Sequence, residues 1–336
     1  MLKVAINGFG RIGRAAFKIA LDKYSKDLDI VGINDLTDSK TLAHLLKYDT
    51  SYGIWNHEIS HDDTHIIVDQ KSYSIFAQKD PTMLPWKDLN VDVVIESTGR
   101  FTDKEGMMQH IKAGAKKVIL SAPAKGGDVP TLVLGVNGDK YQGEEIINNA
   151  SCTTNCIAPV AEVINNKFGI LKAMMTTIHA YTADQNLQDA PHKDLRRARA
   201  AAANIVPTST GAAKATTETI PALKGLFDGV AIRVPVAVGS ISDFTFLLKK
   251  KVTVEEVNQA LKDGAESPLL KGIMAVTDEP IVSSDIVGRS ESSIVDLELT
   301  QVVDGDMVKI FAWYDNEFGY SNRLIEQVIN IGKYGS

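Results

Sequence analysis

Cysteine is nearly absent: Cys152 and Cys156 are the two in 336 residues. Two thiols four positions apart make no disulfide framework, and a reducing compartment fits best. Cationic excess is absent too, with 36 Lys and Arg against 42 Asp and Glu and a net charge of −6. That balance gives no footing for nucleic acid or an anionic membrane as partner. No apolar run approaches the ~20 residues of a membrane span. The start, Met1-Leu2-Lys3-Val4-Ala5-Ile6, runs straight into a strand signal and lacks the charged-then-apolar layout of a signal peptide. There is no internal repeat, no low-complexity tract, and no metal site is expected. What remains is a cytoplasmic globular enzyme as the default expectation. The 44% apolar and 23% charged content is ordinary for one, and the length allows two domains with cores.

Against that background the stretch Ser151-Cys152-Thr153-Thr154-Asn155-Cys156 stands out. It follows the apolar Ile146-Ile147 and opens a helical pattern with Ile157, Val160, Ala161, Val163 and Ile164 on one face. Cys152 then falls in the first helical turn, where free N–H groups and the helix dipole favour thiolate over thiol. A thiolate attacks carbonyl carbon. Cys156, one turn deeper, reads as a small apolar packing residue. The bland alternative, two buried filler cysteines, sits poorly with the hydroxyl-rich neighbours.

The N-terminal half carries a nucleotide-binding pattern. A β-type run over residues 2–7 meets Gly8-Phe9-Gly10-Arg11-Ile12-Gly13, then a helical pattern through Ala16, Phe17, Ile19, Ala20 and Leu21, then an apolar run ending at Asn34-Asp35. Every glycine has a physical role. Gly8 permits a tight turn, Gly10 admits a pyrophosphate to the backbone, and Gly13 lets helix and strand pack closely. The helix N-terminus stabilises phosphates, and Asp35 accepts from a ribose diol. Asp35 would repel a 2′-phosphate, which favours NAD over NADP. Further β-type runs at 91–96, 117–120 and 131–136, with a helical stretch at 104–113, imply a mostly parallel doubly wound sheet. Ser97-Thr98-Gly99 and Ser121-Ala122-Pro123 fall at strand ends, where such sheets bind ligands.

After residue 165 the pattern changes. Residues 171–179 form a strand candidate, followed by a long polar and basic segment, 180–205, holding Arg196, Arg197 and Arg199. Runs at 230–238 (with Arg233), 241–249, 294–302 and 307–314 look antiparallel, the last two flanking the hairpin signal Asp304-Gly305. Thr253-Val254-Glu255-Glu256 is a capping box. A last helix is expected at about 321–331, after the polar-aromatic turn Tyr314-Asp315-Asn316-Glu317-Phe318-Gly319-Tyr320. The expected fold is an α/β Rossmann dinucleotide-binding domain, residues 1–150, plus an α+β catalytic domain, 151–316, with one large, mostly antiparallel sheet. The C-terminal segment, about 317–336, is expected to pack back on the first domain.

An activated thiol beside a nicotinamide site points to aldehyde oxidation through a thiohemiacetal and a thioester, with a base to activate the thiol. Among seven histidines His179 is the best placed, ending an apolar strand. Thr208-Ser209-Thr210-Gly211 with Arg197 and Arg233 would make anion pockets. Arg233, a charge inside an apolar strand, needs an anionic partner. That points to a phosphorylated substrate, with free phosphate as a second nucleophile; the alternative for Arg196, Arg197 and Arg199 is a solvated basic face.

Asn7-Gly8-Phe9-Gly10-Arg11-Ile12-Gly13-Arg14, Ala150-Ser151-Cys152-Thr153-Thr154-Asn155-Cys156, His179-Ala180-Tyr181-Thr182, Asp194-Leu195-Arg196-Arg197-Ala198-Arg199, Thr210-Gly211-Ala212-Ala213-Lys214 and Trp313-Tyr314-Asp315-Asn316-Glu317 together resemble the phosphorylating glyceraldehyde-3-phosphate dehydrogenases. The resemblance spans nearly the whole chain. It implies NAD-dependent phosphorylating oxidation of glyceraldehyde 3-phosphate to 1,3-bisphosphoglycerate, in glycolysis, by a homotetramer. It implies Cys152 as nucleophile and His179 as its base. By the same likeness Thr182 and Arg233 hold the substrate phosphate. Ser151, Thr153, Thr210 and Gly211 hold the attacking phosphate, with Arg197 near both. Arg11, Ile12, Asp35, Lys79, Ser121 and Asn316 contact NAD. Ala190 stands where many NAD-specific members have a bulkier leucine, which would relax exclusion of a 2′-phosphate; Asp35 argues for NAD. An erythrose-4-phosphate dehydrogenase of the same fold, or a binding protein that keeps the fold, are the alternatives.

Overall fold

The computed structural model describes residues 1–334 and divides into two compact units. The first unit comprises Met1–Leu132, Lys140–Ala150 and Ser321–Ser336, of which Gly335 and Ser336 lie outside the described residues. The second comprises Val133–Asp139 and Ser151–Tyr320.

The first unit is built on an eight-stranded sheet of β1 (Leu2–Asn7), β2 (Leu28–Asn34), β3 (Ile59–His61), β4 (His65–Val68), β5 (Lys71–Phe76), β6 (Val93–Glu96), β7 (Lys117–Leu120) and β8 (Ile146–Asn148). Its spatial order is β8-β7-β6-β1-β2-β5-β4-β3. The pairings from β8 to β5 are parallel, and β5-β4-β3 continue as an antiparallel edge. Helices α1 (Arg11–Tyr24), α2 (Ser39–Lys47) and α3 (Lys104–Lys112) connect and cover the strands. The central strands are buried along their length: Val93, Val94 and Ile95 are inaccessible, as parallel strands covered on both faces must be. The run at 131–136 is not a strand. Thr131 makes one isolated bridge to Asn148, Gly135 has φ +81°, and the Asn137 side chain accepts from the Val133 N–H. Its apolar residues are buried in a turn, so burial and not strand pairing explains their character. From Ser321 the C-terminal helix, Phe318–Gly332, belongs to this unit, tied by Lys23 to Asn322 (2.9 Å) and Tyr24 to Glu326 (3.0 Å).

The second unit holds a seven-stranded mixed sheet of β9 (Ile170–Ala180), β10 (Val206–Ser209), β11 (Phe227–Val234), β12 (Ser240–Leu248), β13 (Met274–Thr277), β14 (Ser293–Val303) and β15 (Met307–Tyr314). The order is β10-β11-β9-β12-β15-β14-β13. Four pairings are antiparallel, while β9–β11 and β13–β14 are parallel. Helices α4 (Cys152–Phe168), α5 (Ala212–Thr219) and α6 (Val254–Glu266) pack on one face. The capping box at Thr253 and Glu256 forms as the sequence predicts. Strand alternation sorts the two faces: Ala173, Met175, Thr177 and His179 of β9 point to the covered side and are buried, while Met174 is 60% exposed on the other. Segment 180–205 is irregular apart from one short 3-10 turn at Ala201–Ala203.

Candidate active site

In the first unit, the turn between β1 and α1 closes as the glycine spacing requires. Gly8 has φ +94°, and a Cβ there would lie 2.7 Å from the Thr98 nitrogen. A Cβ on Gly13 would lie 2.1 Å from the Gly8 carbonyl oxygen, so helix and strand meet at distances open only to glycine. Gly10 differs: a Cβ there meets nothing within 4 Å. The protein's own packing therefore does not demand Gly10, and the open space fits a ligand approaching the backbone. Gly10 caps α1 without a side-chain bond and no acid occupies the first turn, so no side chain there offsets the positive end of the helix dipole, which suits an anion. Gly8, Gly10, Asp35 and Lys79 line one cleft of about 260 Å³, together with Asn7, Asn34, Leu36, Gln78, Thr98 and Arg100. The Asp35 carboxylate is held by the N–H groups of Phe9 (2.8 Å) and Thr37 (3.0 Å). Arg11 and Ile12 open α1, and Arg11 makes a two-point pair with Asp49 at 3.0 and 3.2 Å. Ser121 follows β7 and donates its N–H to the Glu96 carbonyl, outside the lining of this cleft. Asn316 belongs to the second unit. These residues fit a dinucleotide: a glycine-bounded floor, an open helix N-terminus and a fixed carboxylate.

Sequence reading missed the polar layer beneath the cleft. Glu96 is fully buried and its oxygens accept from Asn7 Nδ2 (2.5 Å), the Thr98 N–H (2.8 Å) and the Thr98 hydroxyl (2.5 Å). His110 Nε2 lies 3.0 Å from the same carboxylate, and its Nδ1 accepts from the Trp86 indole at 3.1 Å. Asn34 Nδ2 donates to Asn7 Oδ1 at 2.7 Å. A buried carboxyl group so satisfied ties the ends of β1, β2 and β6 together. A glutamate ending an apolar strand was the one sequence signal for it.

In the second unit Cys152 is the first residue of α4. Ser151 caps the helix, its hydroxyl accepting from the Thr154 N–H at 3.0 Å, and Ala150 enters the left-handed region at φ +54° just ahead of it. Cys152 Sγ lies 3.4 Å from His179 Nε2. His179 Nδ1 lies 2.6 Å from the Ala180 carbonyl oxygen, which can only accept. Nδ1 therefore carries the proton and Nε2 turns its lone pair to the sulfur. Arg233 NH1 stands 3.1 Å from that carbonyl and 3.1 Å from Nδ1, and with Nδ1 protonated it donates to the carbonyl. Thr182 Oγ1 is 3.4 Å from the same guanidinium nitrogen. The neighbourhood is set by register: His179 and Arg233 are direct partners on the parallel strands β9 and β11.

At the first turn of α4, burial opposes the charge that the helix terminus favours. Burial pushes the Cys152 thiol above its ordinary value, opposed by the Arg233 charge and hydrogen bonds at Thr153. Burial and then Arg233 push His179 down to about 3. Either group alone resists charging. Proton transfer across the 3.4 Å contact creates both charges together, each the other's counter-charge. Cys156 is buried, as its packing role predicts, and burial raises its thiol to about 12.

The remaining anion-site candidates lie at two helix N-termini and one arginine. Ser151 and Thr153 open α4; the Thr153 hydroxyl is engaged by Tyr314 at 2.9 Å, which leaves its backbone N–H. Thr210 and Gly211 open α5, where Gly211 provides no side-chain cap. Arg197 is held by Asp184, by the Thr208 hydroxyl (2.9 Å) and by the Ser209 carbonyl (3.2 Å). Its charge is thus already countered. Arg233 has no carboxylate within 4 Å among the described residues, and its Nε is buried without a partner. No metal-binding cluster occurs among the described residues.

Residues 2–104 match the family model of the glyceraldehyde 3-phosphate dehydrogenase NAD binding domain, and residues 151–316 that of the C-terminal domain. The chain is 54% identical over 333 residues to the glyceraldehyde-3-phosphate dehydrogenase of Streptomyces coelicolor, covering 98% of each. It is 55% identical over 332 residues to that of Borreliella burgdorferi, covering 97% of this chain and 98% of the relative. To that of Geobacillus stearothermophilus it is 53% identical over 336 residues, covering 99% of each. With a glycine-bounded dinucleotide cleft, a thiol–imidazole pair beside an uncompensated arginine, and this likeness along its whole length, the chain belongs to the glyceraldehyde-3-phosphate dehydrogenase family.

Proposed function

We propose that residues 1–150 bind NAD and residues 151–316 carry the chemistry of a phosphorylating dehydrogenase. The enzyme is NAD-dependent, and the reaction oxidises D-glyceraldehyde 3-phosphate to 1,3-bisphosphoglycerate, a step of glycolysis. His179 Nε2 takes the Cys152 thiol proton, and the thiolate adds to the aldehyde carbon. The imidazolium returns its proton to the new alkoxide, giving a thiohemiacetal and a neutral His179. Nε2 then takes the hydroxyl proton as the C–H bond breaks and a thioester forms. NAD, held by the residues of the first unit, would supply the hydride acceptor for that oxidation. Inorganic phosphate attacks the thioester, and the departing thiolate recovers a proton from His179.

Arg233 and the Thr182 hydroxyl hold the substrate phosphate. Ser151, Thr153, Thr210 and Gly211 hold the incoming phosphate at the N-termini of α4 and α5, with Arg197 anchoring the loop beside them. Gly8, Gly10, Arg11, Ile12, Gly13, Asp35, Lys79, Ser121 and Asn316 serve the cofactor. The observation that carries the reading is the Arg233 guanidinium, paired to no carboxylate and one strand from the Cys152–His179 contact.

The protein works as a homotetramer in the cytoplasm. Support for the oligomer is the open face of the seven-stranded sheet, where Met174 is 60% and Val230 48% exposed on adjacent strands; an apolar sheet face suits a second copy. Two free thiols suit a reducing compartment, and no helix among the described residues is long and apolar enough to cross a membrane.

The test is NADH formation from glyceraldehyde 3-phosphate and NAD, with and without inorganic phosphate. Turnover that requires phosphate is expected. Turnover indifferent to phosphate would mean that water resolves the thioester and would favour erythrose 4-phosphate as substrate. No turnover with either aldehyde would favour a binding protein.

A further inference from the structure

Ala180 lies between two hydrogen-bonded systems. Its carbonyl accepts from His179 Nδ1 at 2.6 Å, and its N–H donates to the Ser240 hydroxyl oxygen at 3.1 Å. Ser240 is 1% exposed and has one proton to give; it gives it to Asn316 Oδ1 at 3.0 Å. The Gly239 N–H donates to the same oxygen at 3.1 Å. Gly239 has φ +100° and a Cβ there would lie 2.5 Å from the Ser283 carbonyl oxygen, so this loop is held in one path. Two donors converging on one amide oxygen settle the amide's orientation: Oδ1 points inward and Nδ2 outward. Asn316 is 5% exposed, and Nδ2 finds no acceptor among the described residues. A nearly buried amide with its acceptor saturated and both donors unspent is set to receive an acceptor from outside the chain.

We infer that Ser240 is a positioning residue for the cofactor, holding Asn316 so that its outward Nδ2 donates an N–H to an acceptor oxygen of the dinucleotide. The inference rests on the assignment of Asn316 to NAD made above. The same hydroxyl also accepts from the Ala180 N–H, while His179 keeps its own contacts to the Ala180 carbonyl and to Cys152. Without the Ser240 hydroxyl, Asn316 Oδ1 keeps one donor, the side chain gains a second rotamer, and the Ala180 N–H loses its acceptor.

The test is the NAD dissociation constant, measured by isothermal titration calorimetry on the full chain without turnover. Asn316→Ala is expected to weaken NAD about tenfold, the cost of losing a nearly buried hydrogen-bond partner. Ser240→Ala is expected to weaken it about fivefold, with iodoacetamide alkylation of Cys152 within about twofold of wild type. Because Ser240 acts through Asn316, the double variant should bind no worse than Asn316→Ala alone. Asn316→Asp keeps the inward acceptor and replaces the outward donors, and it should bind NAD at least as weakly as Asn316→Ala. This arm holds even if Ser240→Ala fails to fold. A Ser240→Ala protein with wild-type NAD affinity beside a weakened Asn316→Ala would overturn the inference alone. So would effects that multiply in the double variant, or an Asn316→Asp protein that binds normally. A fall in NAD affinity matched by an equal fall in Cys152 alkylation would mark Ser240 as merely structural and overturn it too. Wild-type affinity in Asn316→Ala would remove the cofactor assignment of Asn316 itself, and the inference with it.

Discussion

The dinucleotide cleft and the thiol site are assembled in opposite ways. The cleft's defining parts are close in sequence: Gly8, Gly10 and Gly13 fall within six residues, and Asp35 directly follows the next strand. Their geometry is steric, enforced by backbone that approaches to 2.1 Å of where a Cβ would sit. The thiol site draws Cys152 from a helix start, His179 from one strand and Arg233 from another, brought side by side by the parallel register of β9 and β11. A local turn forms from what each residue permits. A cross-strand constellation forms from what the whole sheet aligns. The first kind breaks by adding one methyl group, the second by removing one functional group.

The largest effect separates the two chemically. Cys152→Ser should lower turnover at least ~10⁴-fold while the NAD dissociation constant stays within about threefold. Residual turnover near wild type, followed as NADH, would sink the thioester mechanism. Next, His179→Asn should reduce turnover about 10²–10⁴-fold. It should also move the alkylation profile of Cys152. The sign follows from the direction of the thiol's shift: with no base at 3.4 Å, the partly buried thiol ionises less readily than an ordinary thiol, so reactivity near neutral pH falls and returns on the alkaline side. An alkylation profile unchanged by the substitution would count against the pair. Arg233→Gln should raise the KM for glyceraldehyde 3-phosphate about 10- to 100-fold, leaving NAD affinity alone. An equal loss on both would mean Arg233 holds the sheet and not the substrate.

Gly13→Ala addresses the cleft. The added Cβ cannot avoid the Gly8 carbonyl, so a destabilisation of about 1–3 kcal/mol and weakened NAD binding are expected, with Cys152 alkylation retained. Unfolding midpoints in urea and NAD calorimetry on the same protein give both quantities. The smallest effect lies elsewhere in the first unit. Burial works against a charge on His57, but Asp69 (2.5 Å) and Asp22 (3.0 Å) outweigh it and raise its folded value above the ordinary 6.5. Its contribution is therefore full below about pH 6.5 and fades as pH rises through the higher folded value. His57→Gln should cost under about 1 kcal/mol at pH 6 and less at pH 9, since both partner carboxylates are exposed to solvent. A deficit that grows toward pH 9 would reverse the sign and refute it.

The two regions were also unequally legible. The glycine turn could be read because each glycine answers a constraint within a few residues. Ser151 before a helical pattern placed Cys152 at a helix start because capping is local chemistry. His179 could be placed at a strand end from alternation, yet nothing in the spacing of residues 179 and 233 says that they touch. Segment 131–136 misled because burial makes residues apolar whether or not they pair as strand. The Glu96–His110–Trp86 layer and the Ser240–Asn316 contact escaped reading because hydrogen-bond partners 14 to 76 residues apart leave no periodic trace.

By itself the sequence determined the elements and their chemistry: a strand, a glycine turn and a helix able to seat a pyrophosphate, a cysteine in a first helical turn, and a histidine at a strand end. Those follow from backbone sterics and local capping, which act over a handful of residues. Only the tertiary structure decided that Arg233 stands beside His179 without a carboxylate of its own, that burial and that guanidinium disfavour charge on the imidazole 3.4 Å from the thiol, and that Asn316 faces its donors outward. Sheet register, desolvation and amide orientation are properties of groups distant in the chain, and they exist only once the chain has closed around them.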